Sequence, residues 1–177
     1  ELAGDLDGLE KAVAALHAQA LRSEDPLAEG YRAVGLLVAR RERGDVNSIV
    51  TDLAVIRDTA RAIPSMPEVQ TALLDALMTV GQDAEARQLY ARLVADGFAA
   101  IPQGYGTVAA LAKLAEVCVA YRDEGCAAEL YDQLLPYADL AAVAGLAASC
   151  GAVARYLGLL AGLLGRPQPA QAHFEAA

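Results

Sequence analysis

The sequence predicts an all-α fold, and three observations lead to this prediction. Apolar residues recur at helical spacings along most of the 177 residues. Aromatic residues make up only 5% and Trp is absent, so the core is built from Ala, Leu and Val, which suits closely packed helices better than a β-sandwich. A helical-hairpin pattern also recurs along the chain. With 55% hydrophobic and 21% charged residues, the chain can bury the core of one sizeable domain.

The hairpin pattern is clearest between residues 111 and 134. Its apolar positions are Leu111, Leu114, Ala115 and Cys118 on a first helix, and Ala127, Tyr131 and Leu134 on a second. The small residues Ala115 and Ala127 lie twelve positions apart across the turn. A small side chain on each helix at one level lets two antiparallel backbones approach closely. This segment is therefore predicted to be one repeat unit.

The same spacing recurs before and after this unit. The matching pairs are Leu37 with Ile49, Leu74 with Ala86, and Gly158 with Ala170. We therefore expect four helical hairpins, at about 27–62, 66–96, 105–136 and 141–177. A lone first helix at about 5–23 precedes them, and the first pair keeps the spacing but not the small residues.

The repeat resembles the tetratricopeptide repeat, whose signature includes Leu-Gly in the first helix and Ala-x3-Phe in the second. Leu157, Gly158, Ala170 and Phe174 are the most literal matches. The sequence departs from the family in lacking Trp and in register steps longer than the family's roughly 34 residues, so the repeats are degenerate. The resemblance implies a right-handed solenoid of antiparallel hairpins, about nine helices in all, forming a single domain over residues 1–177.

The last two hairpins are also similar to the helical-repeat region of large bacterial signalling ATPases. Those proteins carry a class III nucleotide cyclase or a LuxR-type DNA-binding domain on the same chain. The similarity lies in the stretches 134–138 and 153–160. Since the chain opens without Met and its first and last hairpins are incomplete, we expect it to be a piece of such a regulator.

Composition and charge argue against several other classes of protein. The net charge of −9 disfavours direct binding to nucleic acid. Three cysteines form neither a disulfide framework nor a paired zinc motif, and His17 and His173 belong to no metal-binding spacing. Cys118 is expected to be a core residue and Cys126 a structural one, although a helix N-terminus could lower its thiol pKa.

Local signals place the ends of several helices. Asp5 and Asp45 are positioned as N-caps, and Pro67 suits the first turn of a helix. The basic run at 40–43 suits the negative end of a helix dipole and is expected to be a solvated helix end. Residues 97–106 are predicted to be the longest non-helical connection.

The apolar stretch 139–165 allows two interpretations. It carries one charged residue, Arg155, between Leu140 and Gly165, and small-xxx-small spacing at Gly158 and Gly162 would suit a membrane helix. Because Arg155 would lie near its middle and Gly158 already has a packing role in the repeat, we favour an innermost buried helix. Ser149-Cys150-Gly151 is a possible break. No signal peptide opens the chain, and we expect a cytoplasmic protein without a membrane span.

No catalytic, cofactor-binding or metal-binding residues are predicted. P-loop, G-x-S-x-G, HExxH and CxxC motifs are absent from the sequence. We therefore expect a protein that is not an enzyme. It would bind a protein or peptide segment, possibly neighbouring domains of the same chain, or sense an effector. The alternatives are a stand-alone helical-repeat adaptor, or an all-α enzyme or small-molecule carrier.

The resemblance also implies where a partner binds, because first helices line the concave face of tetratricopeptide solenoids. Carried onto this chain, the groove positions are Tyr31, Val34, Val38, Arg41, Thr71, Asp75, Ala112, Glu116, Arg155 and Leu159. An acidic centre at Asp75 and Glu116 favours a basic or amphipathic partner, although Arg155 could simply neutralise Glu116. An exposed C-terminal repeat would also favour a homodimer.

Overall fold

The computed structural model describes residues 5–95, 97–98, 106–144 and 148–177. Within these ranges the chain is almost entirely helical, which confirms the predicted all-α class, and a two-stranded sheet is the exception. The helices are α1 (Leu6–Arg22), α2 (Ala28–Glu42), α3 (Val46–Ala62), α4 (Pro67–Thr79), α5 (Asp83–Val94), α6 (Thr107–Tyr121), α7 (Glu124–Leu134), α8 (Val153–Leu163) and α9 (Pro167–Ala176). The strands are β1 (Ala141–Ala144) and β2 (Ala148–Ala152).

The described residues divide into two compact units. The first unit takes the described residues up to Arg87 together with Ala148, and the second takes those from Gln88 to Ala144 and from Ser149 onward. In the first unit α1 packs on α2, α2 on α3 and α3 on α4, and α2 also contacts α4. In the second unit α6 and α7 each pack on α8, α6 also packs on α7 and β1, and α8 packs on α9. A single right-handed solenoid stays a prediction.

The predicted helix starts are confirmed by their capping hydrogen bonds. Asp5 accepts a hydrogen bond from the Gly8 amide at 2.8 Å, and Asp45 accepts one from the Ser48 amide at 3.1 Å. Each carboxylate satisfies an amide that has no acceptor within its own helix. Pro67 occupies the first turn of α4, where its missing N–H costs nothing. The connection predicted at 97–106 lies outside the described residues at 99–105.

The paired positions of the repeat template lie in the core, whereas Phe174 of the same template is 49% exposed. All eight positions of the paired template are buried: Leu37, Ile49, Leu74, Ala86, Ala115, Ala127, Gly158 and Ala170. Cys118, also expected in the core, is fully buried. These positions therefore mark the faces along which the helices pack.

Two glycines show how closely neighbouring helices approach. A Cβ added at Gly158 would lie 2.7 Å from the Phe174 ring, so the ring occupies the space that a side chain would need. A Cβ added at Gly30 would lie 2.0 Å from Thr59 Oγ1. The hairpin that lacks the small template residues thus obtains a close contact between α2 and α3 from Gly30, elsewhere along the same helix.

The expectation of one helix over 139–165 is wrong, because β1 and β2 precede a helix that begins only at Val153. Ala and Leu favour a helix here, but Gly151 has φ +93°, which an L side chain rarely adopts. The Val153 amide donates to the Leu140 carbonyl at 2.9 Å, and the Tyr156 hydroxyl donates to the Cys150 carbonyl. Tertiary contacts therefore override helix propensity. The break suggested at Ser149-Cys150-Gly151 lies inside β2.

No helix in the described part of the chain is both long and apolar enough to cross a membrane.

Candidate functional site

The predicted groove positions lie on four helices, the first helix of each predicted hairpin. In the first unit, α2 carries Tyr31, Val34, Val38 and Arg41, and α4 carries Thr71 and Asp75. In the second unit, α6 carries Ala112 and Glu116, and α8 carries Arg155 and Leu159. The positions on α2 are spaced by three or four residues and so share one face of that helix.

An ion pair joins the groove positions of α2 and α4. Arg41 Nη1 donates to Asp75 Oδ1 at 2.9 Å and to Oδ2 at 3.2 Å. Asp75 is buried, and the Arg41 side chain keeps 32% of its surface exposed. The carboxylate expected at the acidic centre is therefore neutralised within the first unit.

The remaining groove positions of the first unit differ in exposure. Tyr31 is exposed at 41%, and Val34 and Val38 are half-buried, so this face of α2 presents apolar surface. Thr71 is buried, and its hydroxyl donates to the carbonyls of Pro67 and Glu68 at 3.0 and 3.2 Å. The Thr71 side chain is thus not open to a partner.

A second ion pair joins the groove positions of α6 and α8. Arg155 Nη1 donates to Glu116 Oε1 at 3.0 Å, and Lys113 Nζ donates to Glu116 Oε2 at 2.7 Å. The Arg155 guanidinium also lies over the Tyr156 ring, 5.1 Å from its centroid. This is the neutralisation of Glu116 by Arg155 that the sequence left open.

Leu159 and Ala112 complete the groove positions of the second unit. Leu159 is half-buried on α8. Ala112 is fully buried, with 0% exposure, and like Thr71 presents no side chain to a partner. The apolar, accessible groove residues are therefore Tyr31, Val34 and Val38 in the first unit and Leu159 in the second.

The basic run at 40–43 is not the solvated helix end that its sequence suggested. Arg40 pairs with Asp52 on α3, Arg41 pairs with Asp75 on α4, and Arg43 pairs with Glu10 on α1. Successive residues of a helix point about 100° apart, so one basic run reaches three neighbouring helices. The run connects elements of the first unit.

Asp52, Arg32 and Arg40 form a partly buried charge cluster that the sequence did not predict. Asp52 is 6% exposed and accepts hydrogen bonds from Arg40 and from Arg32 Nη2, the latter at 3.2 Å. Burial opposes its ionisation, but the hydrogen bonds from Arg40 and then Arg32 hold the pKa of Asp52 below its ordinary value. The available signal was the spacing of Arg32 and Arg40, which places both on one face of α2.

Cys118 and Cys126 belong to a polar network around Asp123, the N-cap of α7. The Asp123 carboxylate accepts hydrogen bonds from the Cys126 amide and the Tyr90 hydroxyl, each at 3.2 Å, and its carbonyl accepts one from the Cys118 thiol at 3.1 Å. Burial raises the pKa of Cys118 to about 11. Burial, followed by hydrogen bonding to Asp123, also raises the pKa of Cys126.

The raised pKa of Cys126 argues against the alternative in which the helix N-terminus activates this thiol. A thiol whose pKa is raised carries less thiolate at neutral pH, and thiolate is the reactive form. The network therefore stabilises the turn between α6 and α7, as the structural interpretation predicted.

No group of three or more His, Cys, Asp or Glu residues in the described ranges could hold a metal ion. Comparison with protein-family models, with curated proteins and with solved structures finds no match for this chain. What can be inferred about function therefore depends on the sequence pattern and on the contacts described above.

Proposed function

We propose that this chain is a tetratricopeptide-like helical-repeat region that binds a protein or peptide segment through the exposed face of its first helices. In this proposal the hairpins stack as a right-handed solenoid of degenerate repeats. The chain would serve a cytoplasmic bacterial signalling or transcriptional regulator, whose neighbouring domains are the expected partners.

The observation that carries the proposal is the contact between successive first helices. In the first unit α2 contacts α4, and Arg41 pairs with Asp75 across that contact. In the second unit α6 contacts α8, and Glu116 pairs with Arg155 across it. Side-by-side first helices are what stacked hairpins require, because each repeat buries its apolar face against the next.

The second helices of successive hairpins are joined in the same way within each unit. Arg57 on α3 donates two hydrogen bonds to Glu85 on α5, at 2.9 and 2.8 Å. In the second unit, the Tyr131 hydroxyl on α7 lies 2.8 Å from His173 Nε2 on α9. Tyr131 is the aromatic residue of the repeat template in its hairpin. Through His173 it contacts the second helix of the following hairpin.

The exposed groove positions favour an apolar side of the partner. Tyr31, Val34 and Val38 line one face of α2, whereas the two carboxylates once expected to attract a basic segment are neutralised by arginines. A partner helix with an apolar stripe therefore fits better than a purely basic segment.

A binding titration tests this proposal. The probe is the ATPase domain that the bacterial regulators carry on the same chain, and the variant combines Tyr31→Ala with Val38→Ser. Aromatic and aliphatic anchors contribute most of the free energy of binding in helix-in-groove contacts, so we expect affinity to fall at least tenfold. Isothermal titration calorimetry measures the change.

The matched control is Val50→Ser on α3. Val50 is 55% exposed and lies on a second helix, so its removal tests the loss of an apolar surface residue outside the groove. Affinity equal to wild type in the control is expected. If the groove variant also binds like wild type, the partner does not use the first helices and the proposed surface is wrong. If the ATPase domain does not bind wild type but an amphipathic peptide does, the stand-alone adaptor is the better assignment.

A further inference from the structure

A cavity of about 380 Å³ lies in the first unit among α1, α2 and the start of α3. Its walls include four basic side chains, His17, Arg32, Arg40 and Arg43, and two acidic ones, Glu10 and Asp45. The volume falls in the range of about 300 to 1,000 Å³ that is usual for small-molecule sites. None of the groove positions described above lines it.

The concentration of arginines at this cavity is unusual for the chain. The protein has 14 Lys and Arg against 23 Asp and Glu, yet two arginines of α2 and Arg43, at the C-cap of that helix, line the same cavity. Arg32, Arg40 and Arg43 are spaced by eight and three residues, which places them along one side of the helix. Each of them pairs with at least one carboxylate, so the cavity offers guanidinium donors rather than an excess of positive charge.

Asp52 holds two of these arginines in place. Its side chain, 9% exposed, accepts hydrogen bonds from Arg32 and Arg40, whose side chains are 24% and 17% exposed. The Glu29 carboxylate also accepts a hydrogen bond from Arg32 Nε, at 2.9 Å. A guanidinium has five N–H donors, and the described hydrogen bonds of Arg32 use two of them. The two guanidiniums are therefore preorganised and retain capacity to donate.

The other carboxylates that pair with these arginines are easily displaced. Glu29, which also contacts His17, is 56% exposed, and the two partners of Arg43, Glu10 and Asp7, are 44% and 80% exposed. Exposed ion pairs contribute roughly 0 to 1 kcal/mol to stability. An anion with more charge and more acceptor oxygens than a carboxylate can therefore replace them at little cost, whereas buried Asp52 remains.

We propose that this cavity binds a small molecule through a phosphate group. Phosphate presents three acceptor oxygens, and arginine guanidiniums match it with paired hydrogen bonds. A ligand with a carboxylate group would accept the same kind of hydrogen bonds that the arginines already donate to Glu10 and Glu29. The apolar part of the lining, which includes Val13 and Leu36, would contact the remainder of the ligand. This site is independent of the proposed groove.

The test is calorimetric titration of the chain with inorganic pyrophosphate, with NaCl adjusted to hold ionic strength constant. Two variants address the cavity. Arg43→Gln removes a partly exposed guanidinium, and Ala14→Glu adds a carboxylate to the exposed part of the wall. Loss of one charge-assisted hydrogen bond weakens binding by about tenfold, and we expect at least this change from each variant.

Each variant has a control with the same change in charge. Arg61→Gln alters an arginine of α3 that is 70% exposed, and Ala18→Glu alters an exposed position one turn along α1; neither residue lines the cavity. Both controls are expected to bind pyrophosphate within about twofold of wild type. Circular dichroism verifies that all four variants are folded.

Three results would overturn the proposal. If the wild-type chain shows no saturable binding of pyrophosphate, the cavity is not a phosphate site. Equal loss of affinity in the variants and their controls would mean that pyrophosphate responds to net charge alone. Malonate that binds as tightly as pyrophosphate would show that the cavity does not select phosphate over carboxylate.

Discussion

At the scale of single residues, the first unit is organised by charges that are paired across helices. Asp52 would be costly to bury alone, because a carboxylate loses its hydration in a protein interior. Arg32 and Arg40 compensate by donating hydrogen bonds from α2 to α3. Removing one partner leaves an unbalanced buried charge, so we expect this cluster to be sensitive to substitution.

Asp52→Asn is expected to change how stability depends on pH. The folded pKa of Asp52 lies below its ordinary value of 3.8, so its contribution is present above that value and is lost as pH falls through the folded pKa. We expect the variant to be about 2 kcal/mol less stable than wild type at pH 7. Urea denaturation at pH 7 and at about pH 3 measures the difference, which should shrink at the lower pH.

The control for this experiment is Asp58→Asn, also on α3. The Asp58 side chain is 74% exposed and pairs with an exposed Arg61, so its removal should change stability by less than about 0.5 kcal/mol. If the free energies of unfolding of Asp52→Asn and wild type differ by the same amount at both pH values, the assigned role of the charged carboxylate is wrong.

At the scale of helices and strands, packing depends on where two backbones can approach. α2 approaches α3 closely at Gly30 and Thr59, and α8 approaches α9 closely at Gly158 and Phe174. Phe174 is 49% exposed and has room to move, whereas Thr59 is 4% exposed and does not. The interface of α2 with α3 should therefore tolerate enlargement least.

Gly30→Ala is expected to destabilise the protein by about 1 to 2 kcal/mol through overpacking against Thr59. The expected value includes the small gain from replacing Gly by Ala in a helix. Thr59→Ala removes the hydroxyl and methyl nearest the new Cβ, so the same Gly30→Ala change should cost less in that background. A double-mutant cycle by chemical denaturation measures this coupling. Equal costs in the two backgrounds would show that Thr59 does not limit the approach.

At the scale of the whole molecule, the face formed by α8 and α9 is the surface through which we expect a second copy to bind. A shallow depression there is lined by Gly162, Pro167, Ala170 and Phe174. Phe174 occupies the template position of Tyr90 and Tyr131, yet about half of its surface is exposed. Exposed apolar patches of this kind favour association.

We expect the chain to form a dimer through this face, and we expect Phe174→Gln to weaken that dimer at least tenfold, because it replaces the largest apolar side chain of this face by a polar one. Sedimentation equilibrium over a concentration series measures the dimer dissociation constant. Leu21→Gln on α1 is the control, since Leu21 is 53% exposed and lies in the other unit. A dimer unaffected by Phe174→Gln would place the contact elsewhere.

The sequence by itself determined the features that depend on neighbours within about four residues. Helical periodicity identified the paired template positions as buried, and Asp5, Asp45 and Pro67 marked helix starts, because capping and side-chain spacing act along one helix. The repeat pattern also predicted groove positions on the first helices. Ion pairs between Arg41 and Asp75 and between Arg155 and Glu116 connect these positions.

Only the tertiary structure decided which charges meet and where local propensity is overridden. The basic run at 40–43 could be solvated or paired, and its pairing with three helices depends on how those helices pack around α2. Residues 141–144 and 148–152 favour a helix by composition but form β1 and β2, because Gly151, the Leu140 carbonyl and Tyr156 favour another backbone path. The ion pairs join residues far apart in the chain, and the choice between helix and strand depends on small differences in free energy. Periodicity carries no information about either.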